Sequence, residues 1–199
     1  MKKLILVTGS AGTIGRVVCQ ALQTAGHTVR GFDLVPTPNV ADALVGTIAD
    51  PDLMDRAMHG VDAVVHLAAA LEWLDFLRDQ VPGNVIAIYH LFEAAQRHKV
   101  GRVVLASSVQ VGGRRRDPSR LRSPDDLTWP SNTYGATKVF AEEMGKVYAG
   151  QKQLSVIAAR IGWLPRNPQT VRTIQDHGAI SAYLSHDDAG RFFVRSVDA

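Results

Sequence analysis

The chain has 199 residues, 46% hydrophobic and 21% charged, with a formal charge of +3 and a pI near 9.2. That length supports one domain with a substantial core. No apolar run approaches a membrane span, so charge and hydropathy call for neither a membrane nor a nucleic acid, and the single cysteine, Cys19, excludes an internal disulfide and fits a reducing, cytoplasmic setting.

Short β-branched runs alternate with longer amphipathic ones. "KLILVT" reads as a strand rather than the core of an export signal, because its apolar run is short and meets a glycine turn at once. A helix follows from Thr13 to about Ala25, then a strand in "HTVRGFD" and a short one in "ADALVG". Pro51 opens a helix that ends near Gly60, since proline is tolerated in a first turn. "VDAVVHLAA" lacks alternation, as a strand covered on both faces does. From Asn84, read as a cap, Val85, Ile88, Tyr89, Phe92 and Ala95 recur at helical spacing. "GRVVLASS" is the next strand, and a loop from Val109 to Ser131 leads to a helix with Phe140, Met144, Val147 and Tyr148 on one face. "LSVIAARIG" is a last strand, and a helix begins at Ser185 or His186, where Asp187 and Asp188 suit its N-terminus. Such alternation predicts a doubly wound parallel α/β sheet with helices on both faces. One domain spans 1–199, with 161–199 opening a short substrate region. The arginines between Arg114 and Arg122 read as a solvated loop offset by Asp117, Asp125 and Asp126, with no aromatics interleaved for base stacking. No metal site is read.

"LVTGSAGTIGRVV" sets Gly9, Gly12 and Gly15 between the first strand and its helix. In a dinucleotide (Rossmann) fold, such a triad serves a tight turn, close approach of a diphosphate, and helix–sheet packing. The helix N-terminus then faces the phosphates. The spacing is G-x-x-G-x-x-G rather than G-x-G-x-x-G, and a structural turn alone could also produce it. Asp33, at the end of the second strand, stands where a carboxylate meets the ribose 2′-hydroxyl, which favours NAD over NADP. Arg30 falls on the opposite strand face.

"SNTYGATKVFAEE" supplies Tyr134 and Lys138, four apart on one helix face. Ser107 and Ser108 end a strand, where α/β folds bind ligands. An alcohol oxidation needs a base for the hydroxyl proton, and a phenol beside an ammonium can serve. The bland alternative for Lys138 is a surface pair with Glu142.

Thr8-Gly9-x-x-Gly12-x-x-Gly15, Asp33, "HLAA" at 66–69, the serines and Y-x-x-x-K, in that order, resemble the extended short-chain dehydrogenase/reductase (NAD-dependent epimerase/dehydratase) family over essentially the whole chain. The resemblance implies NAD held by Gly9, Gly12, Thr13, Ile14, Gly15, Asp33, Asp50, Leu67, Ala68, Ala69, Tyr134, Lys138 and Ile161. It also implies catalysis by Ser108, Tyr134 and Lys138. Ser108 is favoured by counting five residues back from Gly113, whereas Gly112 would select Ser107. Within the family the chain is most similar to uronate dehydrogenases, on "NVIAIYHLFEAAQ", "RVVLASS", "RIGWLPRNPQTVR" and "YLSHDDAGRFF".

That narrower likeness implies a sugar carboxylate held by Arg172. Other substrate positions depart from the pattern: Val109 and Gln110 stand for an Asn-His pair, Trp163 for a serine, and Leu71 falls near another serine. The pocket is therefore expected to be more apolar. Thr47 takes the place of an adenine-binding aspartate, with Asp50 the nearest acid. The family also implies a homodimer through the Asn84 and Tyr134 helices, and further strands and helices beyond Ala199 that cap the substrate. Three readings stay open: an NAD-dependent dehydrogenase acting on a small hydroxylated substrate, uronic or other sugar acids included; a nucleotide-sugar epimerase or dehydratase; and a non-catalytic dinucleotide-binding protein.

Overall fold

The computed structural model describes residues 1–112, 123–150, 154–165, 171–172, 176 and 182–199. Six strands form one parallel sheet: β1 (Leu4–Thr8), β2 (Thr28–Asp33), β3 (Asp42–Val45), β4 (Ala63–His66), β5 (Arg102–Ser108) and β6 (Ser155–Ile161), in the order β3-β2-β1-β4-β5-β6. This is the doubly wound architecture expected from the alternation. The order reverses between β1 and β4, so the crevice at the carboxyl ends of those strands is the natural ligand site.

Helices α1 (Thr13–Thr24) and α5 (His186–Asp198) cover one face; α2 (Pro51–Met58), α3 (Ala87–Arg97) and α4 (Thr133–Gly150) cover the other. Successive strand residues point to opposite faces. Leu6 and Val64 accordingly join Met54, Leu91 and Phe92, while Ile5 and Val65 join Val18, Leu22 and Phe193. Burial on both sides explains why β4 shows no alternation. Cys19 lies in the second of these cores, and burial pushes its thiol up to about 12, an inert structural role.

Two local readings change. Asn84 does not cap a helix. The chain is already helical from Phe76 to Ile86 in π geometry, with Gln80 N–H donating to Asp75 O and Ala87 N–H to Pro82 O, both five residues back. Pro82 has no N–H to give, and the wider turn carries Asn84 into the interior, where it is 4% exposed. On α4 the buried face is Thr137, Lys138, Ala141, Glu142, Gly145 and Tyr148, whereas Val147 is half exposed. The inward stripe includes a lysine and a glutamate, which an apolar-only pattern passes over. Among the described residues no helix is long and apolar enough to cross a membrane.

Candidate active site

The glycine turn is built as its spacing implies. Gly9 has φ +69°, and a Cβ there would lie 2.6 Å from Ala68 N. A Cβ on Gly15 would come within 2.0 Å of Gly9 O, so α1 can pack on the turn only with glycine there. Gly12 differs. It is exposed, its backbone is extended, and an added Cβ would meet only Gly9 O, at 3.2 Å. The fold itself thus leaves open space at Gly12.

Among the described residues no side chain caps the N-terminus of α1, which leaves the first-turn N–H groups of Thr13, Ile14 and Gly15 to an outside acceptor. Leu67, Ala68 and Ala69 leave β4 beside this turn, with Leu67 N–H donating to Thr8 O. Asp33 sits half-buried at the end of β2, accepting from Ala11 N–H at 2.9 Å and from Leu34 N–H at 2.7 Å. An open glycine cradle, uncapped helix dipole and carboxylate at the β2 end fit a dinucleotide. Arg30 turns away, pairing with Asp42 and donating to the carbonyls of Ala57 and His59. Asp50 caps α2 by accepting from Asp52 N–H and Leu53 N–H through Oδ1.

On the other side of the switch point, α4 brings Tyr134 and Lys138 against the end of β5. Lys138 Nζ donates to Ala106 O at 2.9 Å and lies 5.4 Å from the Tyr134 ring centre. It is 6% exposed, and burial pushes its ammonium down to about 8. The surface pair with Glu142 is not what forms. Glu142 is itself buried and accepts the Arg160 guanidinium as a fork, Nε to Oε1 at 3.0 Å and Nη2 to Oε2 at 2.8 Å. Ser107 Oγ donates to the same carboxylate at 2.5 Å. Ser107 is therefore committed, while Ser108 Oγ accepts only from Gln110 N–H, at 3.1 Å, among the described residues.

Behind Lys138, a small space is lined by His66, Asn84 and Thr137. Asn84 clamps Ala70 by accepting from its N–H at 2.7 Å and donating to its O at 2.9 Å; it also donates to Thr137 Oγ1. His66 Nδ1 bonds Thr8 Oγ1 at 2.7 Å, and burial first, then the Lys138 charge, pushes its imidazole down to about 3. It is neutral at physiological pH.

Sequence reasoning gave Asn84 and Glu142 other roles, and missed what His66, Thr137, Arg160 and Glu72 do. A signal existed for Arg160, a lone charge inside the apolar strand "VIAARIG", which must find a partner. Ile161, expected at the cofactor, ends β6, and of the substrate positions Val109 and Gln110 begin the turn after β5. Trp163 is 41% exposed and pairs through its backbone with the segment around Tyr183. Arg172 is exposed. The arginine loop from Arg114 to Arg120 and Arg122, and Gly113, lie outside the described residues.

The sequence profile of the NAD dependent epimerase/dehydratase family matches residues 5–164. Uronate dehydrogenase of Agrobacterium fabrum is 32% identical over 200 residues, 99% of this chain and 71% of its own length. L-arabinose 1-dehydrogenase (NAD(P)(+)) of Haloferax volcanii is 31% identical over 212 residues, 98% of this chain and 82% of its own. The crystal structure of a tyrosine mutant of uronate dehydrogenase from Agrobacterium tumefaciens, complexed with NAD, superposes with a TM-score of 0.87 at 29% identity, covering 100% of this chain and 73% of that one. With the glycine cradle, the β2 carboxylate and the Tyr134–Lys138 pair in place, the chain belongs to the NAD dependent epimerase/dehydratase family of extended short-chain dehydrogenases/reductases, with NAD as its cofactor.

Proposed function

We propose that this chain is an NAD-dependent dehydrogenase that oxidises a hydroxyl-bearing carbon of a small sugar-type substrate, hexuronates included, with Ser108, Tyr134 and Lys138 as its catalytic residues. The observation that carries the reading is the buried Lys138 ammonium 5.4 Å from the Tyr134 ring. An ammonium beside a phenol favours its ionised form, which readies Tyr134 to take a proton. Tyr134 then accepts the substrate's hydroxyl proton, and Ser108 donates a hydrogen bond to the same oxygen as it becomes a carbonyl. The commitment of Ser107 to Glu142 supports Ser108 in that role over its neighbour.

NAD supplies the acceptor for the hydride. The Gly9–Gly15 turn and the free N–H groups of α1 would hold its diphosphate, and Asp33 its adenosine ribose. Leu67 to Ala69 and Ile161 would flank it, and Lys138 would reach its nicotinamide ribose. Asp50 retains one oxygen beyond its capping bonds for the adenine side. Val109, Gln110 and Trp163 would line the substrate, and Arg172 would pair with a carboxylate when the substrate has one.

The test is NADH formation from NAD with D-galacturonate, D-glucuronate and L-arabinose, together with NAD titration. Tyr134→Phe should lose roughly 100- to 10,000-fold in turnover, as removal of a general base does, while binding NAD as the wild type does. A phenylalanine variant that turns over normally, or a wild type that binds no NAD, refutes the reading.

A further inference from the structure

Val109 and Trp163 put apolar side chains at two of the positions proposed to line the substrate, yet an acid bonds a third, Gln110. Glu72 lies in the segment after β4, and its Oε2 accepts from Gln110 Nε2 at 2.6 Å and from Asn132 Nδ2 at 3.1 Å. Asn132 Nδ2 also donates to Gln110 Oε1 at 2.8 Å, closing a ring of three polar side chains. Both amides lead straight to the catalytic pair. Gln110 N–H donates to Ser108 Oγ, and Asn132 Oδ1 accepts from Gly135 N–H, next to Tyr134. The carboxylate is thus fixed between the end of β5 and the first turn of α4, with its position set by neutral partners that leave its charge in place. Among the described residues no Lys, Arg or His pairs with Glu72, and no donor reaches its Oε1. Glu72 is exposed.

We propose that Glu72 is a specificity-determining substrate contact, whose carboxylate, held by Gln110 and Asn132, accepts a hydroxyl of a polyhydroxylated, sugar-type substrate. The inference rests on the dehydrogenase reading above and narrows it. A hydroxyl donated to a carboxylate is a charge-assisted hydrogen bond, stronger than a neutral one. An aliphatic alcohol with no second hydroxyl offers nothing in exchange for covering this charge, and a site built around a polar group discriminates strongly against partners that leave it unpaired. The ring therefore opposes the apolar lining and selects a carbohydrate over an apolar alcohol. Where the substrate also carries a carboxylate, repulsion from Glu72 orients that end of the molecule away from it.

The experiment compares wild type, Glu72→Gln and Glu72→Ala by steady-state kinetics with NAD. The substrates are L-arabinose, D-galacturonate, cyclohexanol and the monodeoxy derivatives of whichever sugar turns over. Glu72→Ala should lower kcat/KM for the parent sugar about 10- to 100-fold, chiefly through KM for the sugar, with KM for NAD unchanged. For one monodeoxy sugar, the one lacking the contacted hydroxyl, that penalty should vanish. Glu72→Gln keeps the shape without the charge and should fall between the two. An equal penalty on every deoxy sugar would mean that the ring merely ties loops together, and overturns the inference. So does a wild type that prefers cyclohexanol to the sugars. If no substrate yields NADH, the dehydrogenase reading falls and takes this inference with it, whereas turnover with a uniform penalty sinks the inference alone.

Discussion

Replacing Gly12 and Gly15 by alanine, one at a time, separates what the fold needs from what the cofactor needs. An alanine Cβ at position 15 would lie 2.0 Å from Gly9 O and 2.7 Å from Ser10 Cα, both backbone atoms that can yield only by shifting the turn. Overpacking of this kind costs about 3 kcal/mol, and in a domain of this size that lowers Tm by roughly 6–12 °C. At position 12 the Cβ meets only Gly9 O, at 3.2 Å, and the backbone at φ −70°, ψ 172° suits any residue. The weaker capping by alanine costs roughly 0.5–1 kcal/mol, and the stiffer unfolded chain returns about as much. Gly12→Ala should therefore melt within about 3 °C of the wild type. Its methyl nevertheless occupies the open space where a diphosphate would approach the main chain. Loss of one charge-assisted hydrogen bond, about 1.5–3 kcal/mol, weakens NAD binding roughly 10- to 150-fold. Thermal melts and calorimetric NAD titrations of both variants decide the matter. Wild-type NAD affinity in a well-folded Gly12→Ala would remove the diphosphate from this turn and refute the reasoning.

Two further perturbations have opposite or separable signatures. Lys138 titrates near 8 in the fold rather than at its ordinary 10.5. A phenolate at Tyr134 in turn holds this ammonium charged to higher pH, so kcat/KM should fall between pH ~8 and ~10.5, as Lys138 loses the charge that activates Tyr134. Between about 8 and 10.5 the unfolded chain binds more protons at this position than the native one, so the group's contribution to stability rises over the same window. Activity that shows no fall by pH ~10.5 in a folded protein would contradict the assignment. Glu142→Gln strips Arg160, whose side chain is 27% exposed, of its fork. Discounted for that exposure, the loss should be about 2 kcal/mol, read as a Tm lower by roughly 4–8 °C with NAD affinity unchanged. A variant that melts with the wild type would show the network to be dispensable.

The sequence by itself determined the parts of this protein that rest on neighbours along the chain. Strand–helix alternation fixed the parallel sheet, the glycine spacing placed the turn, and four residues from Tyr134 to Lys138 put both on one helical face, because backbone geometry alone sets those relations. Only the tertiary structure decided the rest. Asn84 reads locally as a cap, and only the π turn and the clamp on Ala70 bring it inside. In the sequence Ser108 is preferred to Ser107 only by a count to Gly113 that Gly112 would reverse, and the two become distinct when Glu142, 35 residues on, claims the first. Glu72 meets Gln110 and Asn132 across 38 and 60 residues. Each depends on a hydrogen bond between segments that the sheet order brings together, and no local period encodes such a partner.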